Sequence, residues 1–339
     1  MTDACDLAEG YCSMVCPRLG LDLNHMSKEI FGAPYAWDGL GTIQQIFMAR
    51  STDPSIRLRA QNAGTVTSLI GLALDQGLID SAILTSFNNR QWPRGTIARN
   101  KEEVLKCIGS SYMAAPTVEA FNRATCNGGP GALGVVGTPC QVMALRRMRA
   151  APTEICKNGD RLRLVIGLFC TWALSYPGFA QFIEKKVADP VVKCDVPPHP
   201  ANAFVVYTEK GRMDIPLEEV LPFVMPSCHL CSDLTAEFAD VSVGGGRGEV
   251  LDWNTVVVRT QAGMSLVEAA VQKGIIETTQ IPEGNLGRLK AAGLNKKKRA
   301  FRKILEKTGS VEDLLYLQTE RERVKHLLED AKSGGLEDA

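Results

Sequence analysis

The sequence is poor in the residues on which acid–base and electrostatic functions draw. Its four histidines among 339 residues form no constellation of the kind that carries general acid–base catalysis. Excess charge is lacking too: Lys plus Arg and Asp plus Glu each total 38, so no overall field gathers nucleic acid or an acidic membrane surface, and only local basic patches remain. No G-x-G-x-x-G follows the first predicted strand, which argues against a conventional Rossmann dinucleotide site. No apolar run is long enough to span a bilayer, and the opening MTDACDLAEGYC is acidic, without the apolar core of a secretion signal. These absences predict a cytoplasmic protein with no transmembrane segment and no nucleic-acid partner. Internal repeats and long low-complexity tracts are also missing.

What the chain does have is apolar mass and thiol. At 45% apolar and 22% charged residues, it can bury a full core and form one large domain or two ordinary ones. Eleven cysteines are many for a reducing compartment, where the default for such thiols is metal ligation or burial in place of disulfides. The odd number also argues against complete internal pairing.

Residues 1–54, with their early cysteines and the turn-rich tract FGAPYAWDGLG, read as an entry segment. Residues 55–196 read as α/β. SIRLRA is a strand there, TVTSLIGLALDQ a helix ended by Gly77, and SAILTS a strand. Residues 132–137 form a strand leading to the helix QVMALRRMRA, followed by the strand RLRLVIGLF and the helix SYPGFAQFIEKKV. Such alternation predicts a largely parallel or mixed sheet covered by helices. Residues 197–281 read as α+β, with a hairpin in ANAFVVYTEKGRMDIPLEEV turning at Lys210 and Gly211, and a strand in DWNTVVVRTQAG. Residues 282–339 read as charged C-terminal helices, in which NKKKRAFRKI is a solvated helical face in preference to a specific anion site.

Four cysteines stand in related company: Cys140 in GTPC, Cys170 in GLFC, and Cys228 and Cys231 in CHLC. In the first two, small and β-branched apolar residues lead to the glycine and on to the thiol, so each cysteine is presented where a buried strand ends. Thiolates from three segments can close around one soft centre, an iron–sulfur cluster or zinc. Structural zinc sites usually pair two short-range motifs. Only one C-x2-C is present in this set, which suits a cluster seated against a folded core better than a zinc knuckle. His229 reads as a solvent-side spacer or an outer donor. Cys12-x3-Cys16-Pro17 matches the closing half of the bacterial ferredoxin run C-x2-C-x2-C-x3-C-P, but Asp6 and Glu9 stand at its opening ligand positions and Cys5 is one residue out of place. Cys5, Cys12 and Cys16 therefore either borrow a fourth ligand or are a decayed remnant. Cys107, Cys126, Cys156 and Cys194 have no ligand-like spacing and read as small core hydrophobes.

Three predicted strand-to-loop junctions look like a cofactor bed. The loop from Arg59 to Thr65 runs into a helix N-terminus, where free amides and the helix dipole favour a phosphate or an electron-rich ring edge, with Thr65 and Thr67 adding hydroxyls. GSSYMAAP offers Ser110, Ser111 and Tyr112 before another helix, and in GTPCQ Thr138 and Gln141 flank the cysteine. Singly each reads as a helix cap. Three at the same end of successive strands mark the edge where open α/β sheets bind ligands.

The ordered motifs RAxxxGxVTxLI, LIDxAI, GSxY, VGTPCQxxALRxM, IGLFC, CxxCxDxxxxxADxSVGG and TVVVRTxxG, from Ile56 to Leu305, resemble the beta-subunit family of coenzyme F420 hydrogenases and dehydrogenases. Coenzyme F420 is an 8-hydroxy-5-deazaflavin hydride carrier. The resemblance implies FAD, a 4Fe-4S cluster, and hydride passage between F420 and the flavin, with single electrons leaving through iron–sulfur centres. It implies cluster ligands at Cys140, Cys170, Cys228 and Cys231. FAD contacts are implied at Asn62, Gly64, Thr65 and Thr67, with Ser110, Tyr112, Thr138 and Gln141 near the flavin. The acidic tail of F420 needs cations, for which Arg247 and Arg259 are candidates; either is equally readable as structural. Two positions depart from the family pattern: its Gly-Gly in the first loop is Ala63-Gly64 here, and the N-terminal ligand run is incomplete. The implied partners are other redox subunits of a hydrogenase, formate dehydrogenase or heterodisulfide reductase-type complex. A ferredoxin-linked flavin and iron–sulfur reductase of another organic substrate is the alternative enzyme, and a zinc-stabilised interaction module the alternative outside catalysis.

Overall fold

The computed structural model describes residues 12–87, 92–125, 129, 131–152, 158–197, 201–246 and 250–333. In chain order these form α1 (Cys12–Val15), β1 (Leu21–Asp22), α2 (Leu23–Phe31), β2 (Gln45–Ser51), α3 (Pro54–Arg59), α4 (Thr65–Asp75), β3 (Ser81–Phe87), β4 (Pro93–Ala98), α5 (Lys101–Leu105), α6 (Thr117–Thr125), β5 (Leu133–Gly137) and α7 (Pro139–Ala150). They continue with β6 (Leu162–Leu168), α8 (Tyr176–Lys186), β7 (Val191–Asp195), β8 (Ala203–Thr208), β9 (Gly211–Pro216), α9 (Leu217–Val220), β10 (Val241–Gly245), β11 (Asn254–Val258), α10 (Gln261–Gln272), β12 (Ile276–Thr279), α11 (Glu283–Thr308), β13 (Leu317–Gln318) and α12 (Arg321–Ser333).

An eight-stranded mixed sheet in the order β12-β2-β11-β10-β6-β5-β3-β4 organises the molecule. Its centre, β10-β6-β5-β3, is parallel, and antiparallel pairs close both sides. The strands β5 and β11 are buried at every residue, as expected of strands covered on both faces. Along β5 the side chains alternate: Val135 joins the apolar layer of Phe121, Leu145 and Phe301 from α6, α7 and α11, while Val136 joins Leu69 and Leu266 from α4 and α10. A second, antiparallel sheet of β7-β8-β9 packs with α8 around Phe179 and Phe204. The α/β architecture with C-terminal helices is thus as expected from the sequence.

One predicted element differs. SIRLRA is the helix α3, and the strand before it is β2, inside the tract read as an entry segment. Ile56, Leu58 and Ala60 alternate like a strand, yet Asp53-Pro54-Ser55 is a helix start. The Asp53 carboxylate accepts the Ser55 amide at 2.9 Å and Pro54 occupies the first turn, a cap that stabilises by roughly 1 kcal/mol. Ile56 turns inward and Leu58 stays exposed. The hairpin turn also moves by one residue, since Thr208 pairs with Gly211 and leaves Glu209 and Lys210 as its loop.

The 26-residue α11 lies against a loop from the N-terminal part. A Cβ on Gly293 would stand 2.0 Å from the Gly39 carbonyl oxygen, and Gly39 itself has φ +91°. Backbone-to-backbone approach of this kind tolerates no methyl. Gly293→Ala is therefore expected to lower stability by about 1–3 kcal/mol, read as a lower urea midpoint at unchanged m-value.

Candidate metal and cofactor site

The central strands β10, β6, β5 and β3 run parallel, and β2 shares their direction through its two antiparallel steps past β11. The carboxyl ends of all five therefore meet at one edge, the position where open sheets of this type bind ligands. Thr138, Cys140 and Gln141 follow β5 at that edge, and Cys170 follows β6.

Cys140 follows β5 in the first turn of α7, and Thr138 precedes that helix. The Gln141 side-chain oxygen accepts the Thr138 amide at 2.9 Å, the Gln141 amide donates to Ala115 O at 2.7 Å, and the Thr138 hydroxyl lies 3.5 Å from the Cys140 sulfur. Thr138 and Gln141 thus fix the turn that presents the thiol. Cys170 follows β6, where its amide is tied to Leu234 O at 2.8 Å. Cys228 lies in the short 3-10 turn Pro226–Leu230, and its sulfur accepts the Ala173 amide at 3.3 Å. The Cys231 amide closes that turn on Cys228 O at 3.2 Å.

The four thiols share one electrostatic neighbourhood. Burial pushes the Cys170 thiol up to about 12; the charges of Cys140, Cys231 and Cys228 add to the rise, and Lys296 opposes it. Cys140 keeps solvent access, yet desolvation, followed by the field of Cys231, raises its pKa as well. Burial raises Cys228, with Cys231 adding to it. Among the described residues, no group of three or more His, Cys, Asp or Glu side chains is placed to hold a metal ion.

Two cations beside these thiols escaped the sequence reading. Arg18 spans the CHLC turn, donating to Ser227 O at 2.7 Å and to Leu230 O at 3.2 Å. Lys296 donates to Cys170 O. The basic run NKKKRAFRKI is accordingly not a solvated face at its start: Lys296 is 3% exposed and Lys297 1%. Lys297 pairs with Glu237 at 2.5 Å and donates to the Tyr35 hydroxyl at 2.7 Å, and that hydroxyl donates to the other Glu237 oxygen. Helical periodicity places successive lysines on neighbouring faces, so the sequence held a signal: Leu289, Gly293, Lys296, Lys297, Ala300, Phe301 and Ile304 are all buried on α11.

The other candidates divide. Asn62 is exposed, and its side chain would lie 3.2 Å from a Cβ on Gly245, so the first loop closely approaches the glycine end of β10. Gly64 has φ +77° and begins α4 with no side-chain cap on that helix. Thr65 is buried, its hydroxyl donating to Ala49 O at 3.1 Å and its amide lying 3.4 Å from the Asn254 side-chain oxygen. Thr67 lines a cavity of about 140 Å³ with Ser51, Asp75 and Lys101, distinct from the groove of Cys140 and Cys231. Ser110 is half-buried on the turn before Tyr112. Tyr112 ties the edge to the small sheet, its hydroxyl donating to Asp195 at 3.2 Å and its ring packing near Trp172 and Phe204.

Arg259 is a structural cation. It is 0% exposed, and its guanidinium donates to Ser242 Oγ, Leu40 O, Thr42 O and Thr235 Oγ1 at 2.7–2.9 Å, so it presents no face to an anionic ligand. Arg247 and Cys5 lie outside the described residues, as does the Cys12 side chain. Cys16 is half-buried, with its carbonyl held by Arg147 at 2.6 Å. His229 is exposed, the spacer expected. Burial, reinforced by Asp195, pushes the Cys194 thiol up to about 12. Its alkylation rate is therefore expected to keep rising above pH 9, where an ordinary thiol levels off; mass-resolved iodoacetamide labelling against pH checks this.

Two family descriptions match the chain: coenzyme F420 hydrogenase/dehydrogenase, beta subunit N-term, over residues 46–122, and the C terminus of the same beta subunit over residues 131–284. A coenzyme F420 hydrogenase subunit beta from Methanothermobacter thermautotrophicus is 34% identical, over 78% of this chain and 95% of that protein. A coenzyme F420-dependent sulfite reductase from Methanocaldococcus jannaschii is 29% identical, over 80% of this chain and 42% of that protein. Among solved structures, a chain of the F420-reducing [NiFe] hydrogenase complex from Methanosarcina barkeri superposes with a TM-score of 0.73 at 30% identity, covering 81% of this chain and 96% of its own. Among the described residues, no helix is long and apolar enough to cross a membrane.

Proposed function

Because this chain belongs to the coenzyme F420 hydrogenase/dehydrogenase beta-subunit family, we propose that it is the F420-dependent oxidoreductase subunit of a larger redox complex in the cytoplasm, holding FAD and a 4Fe-4S cluster. The observation that carries this reading is geometric: Cys140 and Cys231 line one groove, and the Cys228 sulfur accepts the Ala173 amide, three residues past Cys170. The donor set fits a polynuclear cluster. Such a cluster would bind each cysteine to a separate iron, and thiolate is the soft donor that it takes.

When bound, FAD exchanges a hydride with the deazaflavin and single electrons with iron–sulfur centres. The chain's own residues bind and orient. Gly64 gives the start of α4 no side-chain cap of its own, which leaves amides beyond Thr65 to an anionic or electron-rich group, and Asn62 stands beside them against Gly245. The Thr65 hydroxyl pins α4 to β2 through Ala49 O. Tyr112 and Asp195 hold the small sheet against the same edge. Arg247 remains the candidate partner for the acidic tail of F420.

Anaerobic purification with iron, FAD and zinc analysis, followed by an F420 reduction assay, tests the proposal. Iron and FAD with bleaching of the deazaflavin band are expected. Iron and FAD without bleaching would leave the ferredoxin-linked reductase, and zinc alone would leave the interaction module.

A further inference from the structure

We propose that Arg18 and Lys296 set the reduction potential of the cluster held by Cys140, Cys170, Cys228 and Cys231, Arg18 also locking the CHLC turn; the inference rests on the iron–sulfur reading of those thiols. Neither residue belongs to the cysteine motifs. Arg18 arrives from the N-terminal segment and Lys296 from the middle of α11, far apart in sequence, and the fold sets Arg18 on the CHLC turn in the groove of Cys140 and Cys231, and Lys296 on the backbone of Cys170.

The Arg18 placement is built from several sides. Its two donors grip Ser227 O and Leu230 O, either side of Cys228. Its guanidinium lies 4.7 Å from the centre of the Tyr316 ring, and the Tyr316 hydroxyl donates to the same Leu230 O at 2.6 Å. Arg147 fastens the segment by donating to Cys16 O and Leu19 O. The result is a groove walled by Pro17, Arg18, Cys140, Cys231, Asp233 and Tyr316. Lys296 is nearly inaccessible to solvent and reaches the backbone of Cys170.

Asp233 is the acidic side chain on the groove wall, and one of its oxygens accepts the Glu237 amide at 2.9 Å. One-electron reduction adds a negative charge and no proton to the thiolate-bound core. Cations beside the sulfurs favour that reduced form, and in a partly buried setting their attraction is weakly screened.

The test is an EPR-monitored redox titration of the reconstituted full-length protein, with iron content measured alongside. R18Q and K296Q are each expected to keep their iron and to shift the one-electron equilibrium about tenfold toward the oxidised form, a midpoint lower by about 59 mV. R18K retains charge and is expected to hold the wild-type midpoint. A variant, R18Q or K296Q, that keeps its iron at the wild-type midpoint overturns the assignment for that residue, and R18K displaced as far as R18Q overturns the role of charge. If R18Q loses its iron, K296Q decides. Wild-type protein that reconstitutes without iron removes the cluster reading itself, an outcome separate from unchanged midpoints.

Discussion

Cys170→Ser is expected to abolish binding of the proposed iron–sulfur cluster and to reduce F420 turnover by more than about a hundredfold, beyond the roughly 10–100-fold range of changes made to groups behind the ligands. The hydroxyl is a harder, more basic donor that replaces thiolate poorly at iron. Cys170 sits where β6 hands over to its loop, with its amide fixed on Leu234 O, so a neighbouring thiol cannot easily move into its place. Cys140→Ser, Cys228→Ser and Cys231→Ser are expected to behave alike, whereas Cys107→Ser, in the apolar cluster under α4 and α5, should retain iron. Iron per chain and the EPR signal of dithionite-reduced protein read the result. Full iron occupancy in Cys170→Ser, or equal loss in Cys107→Ser, would contradict the ligand set.

Lys297→Met is expected to cost about 3–5 kcal/mol of stability, because it strands the Glu237 carboxylate in the interior. Both partners are 1% exposed, and Glu237 is held by Tyr35 as well. Burial already pushes the Glu237 carboxyl upward, with Lys297 opposing the shift. Removing that lysine raises it further. The native variant then holds a proton that the unfolded chain has released, so its stability falls as pH rises from the ordinary carboxylate range through the raised native value. The deficit against wild type is therefore expected to be larger at about pH 8 than at about pH 5, measured by urea unfolding at each pH. Glu237→Gln combined with Lys297→Met should recover part of the loss, since the uncompensated charge is gone; a double variant no more stable than Lys297→Met alone would place the cost in packing.

The thiol pattern was legible because it obeys local rules. A β-branched run, a glycine and a cysteine describe a strand end, and GTPC and GLFC are found at the ends of β5 and β6. The edge they share was legible too, since parallel strands put their carboxyl ends together. What sequence could not supply was long-range pairing. Arg18 is one cation among 38 basic residues, and its meaning depends on the CHLC turn more than two hundred positions away. Lys296 and Lys297 were hidden by composition, because a basic run suggests solvent until the helix is seen to turn two of its members inward. For α3 two local signals conflicted, and the Asp-Pro start outweighed the alternation. For Arg259 the sequence left a ligand and a structural role equally open, and its donors are consumed inside the protein.

The groove beside Cys140 and Cys231 is walled by two segments far apart in sequence, Arg18 and Tyr316. Arg18 precedes β1, Tyr316 precedes β13, and these two short strands pair in parallel, Leu21 with Leu317. Opening that single pairing would free both walls together, so the cation and the aromatic ring that share Leu230 O stand or fall as one.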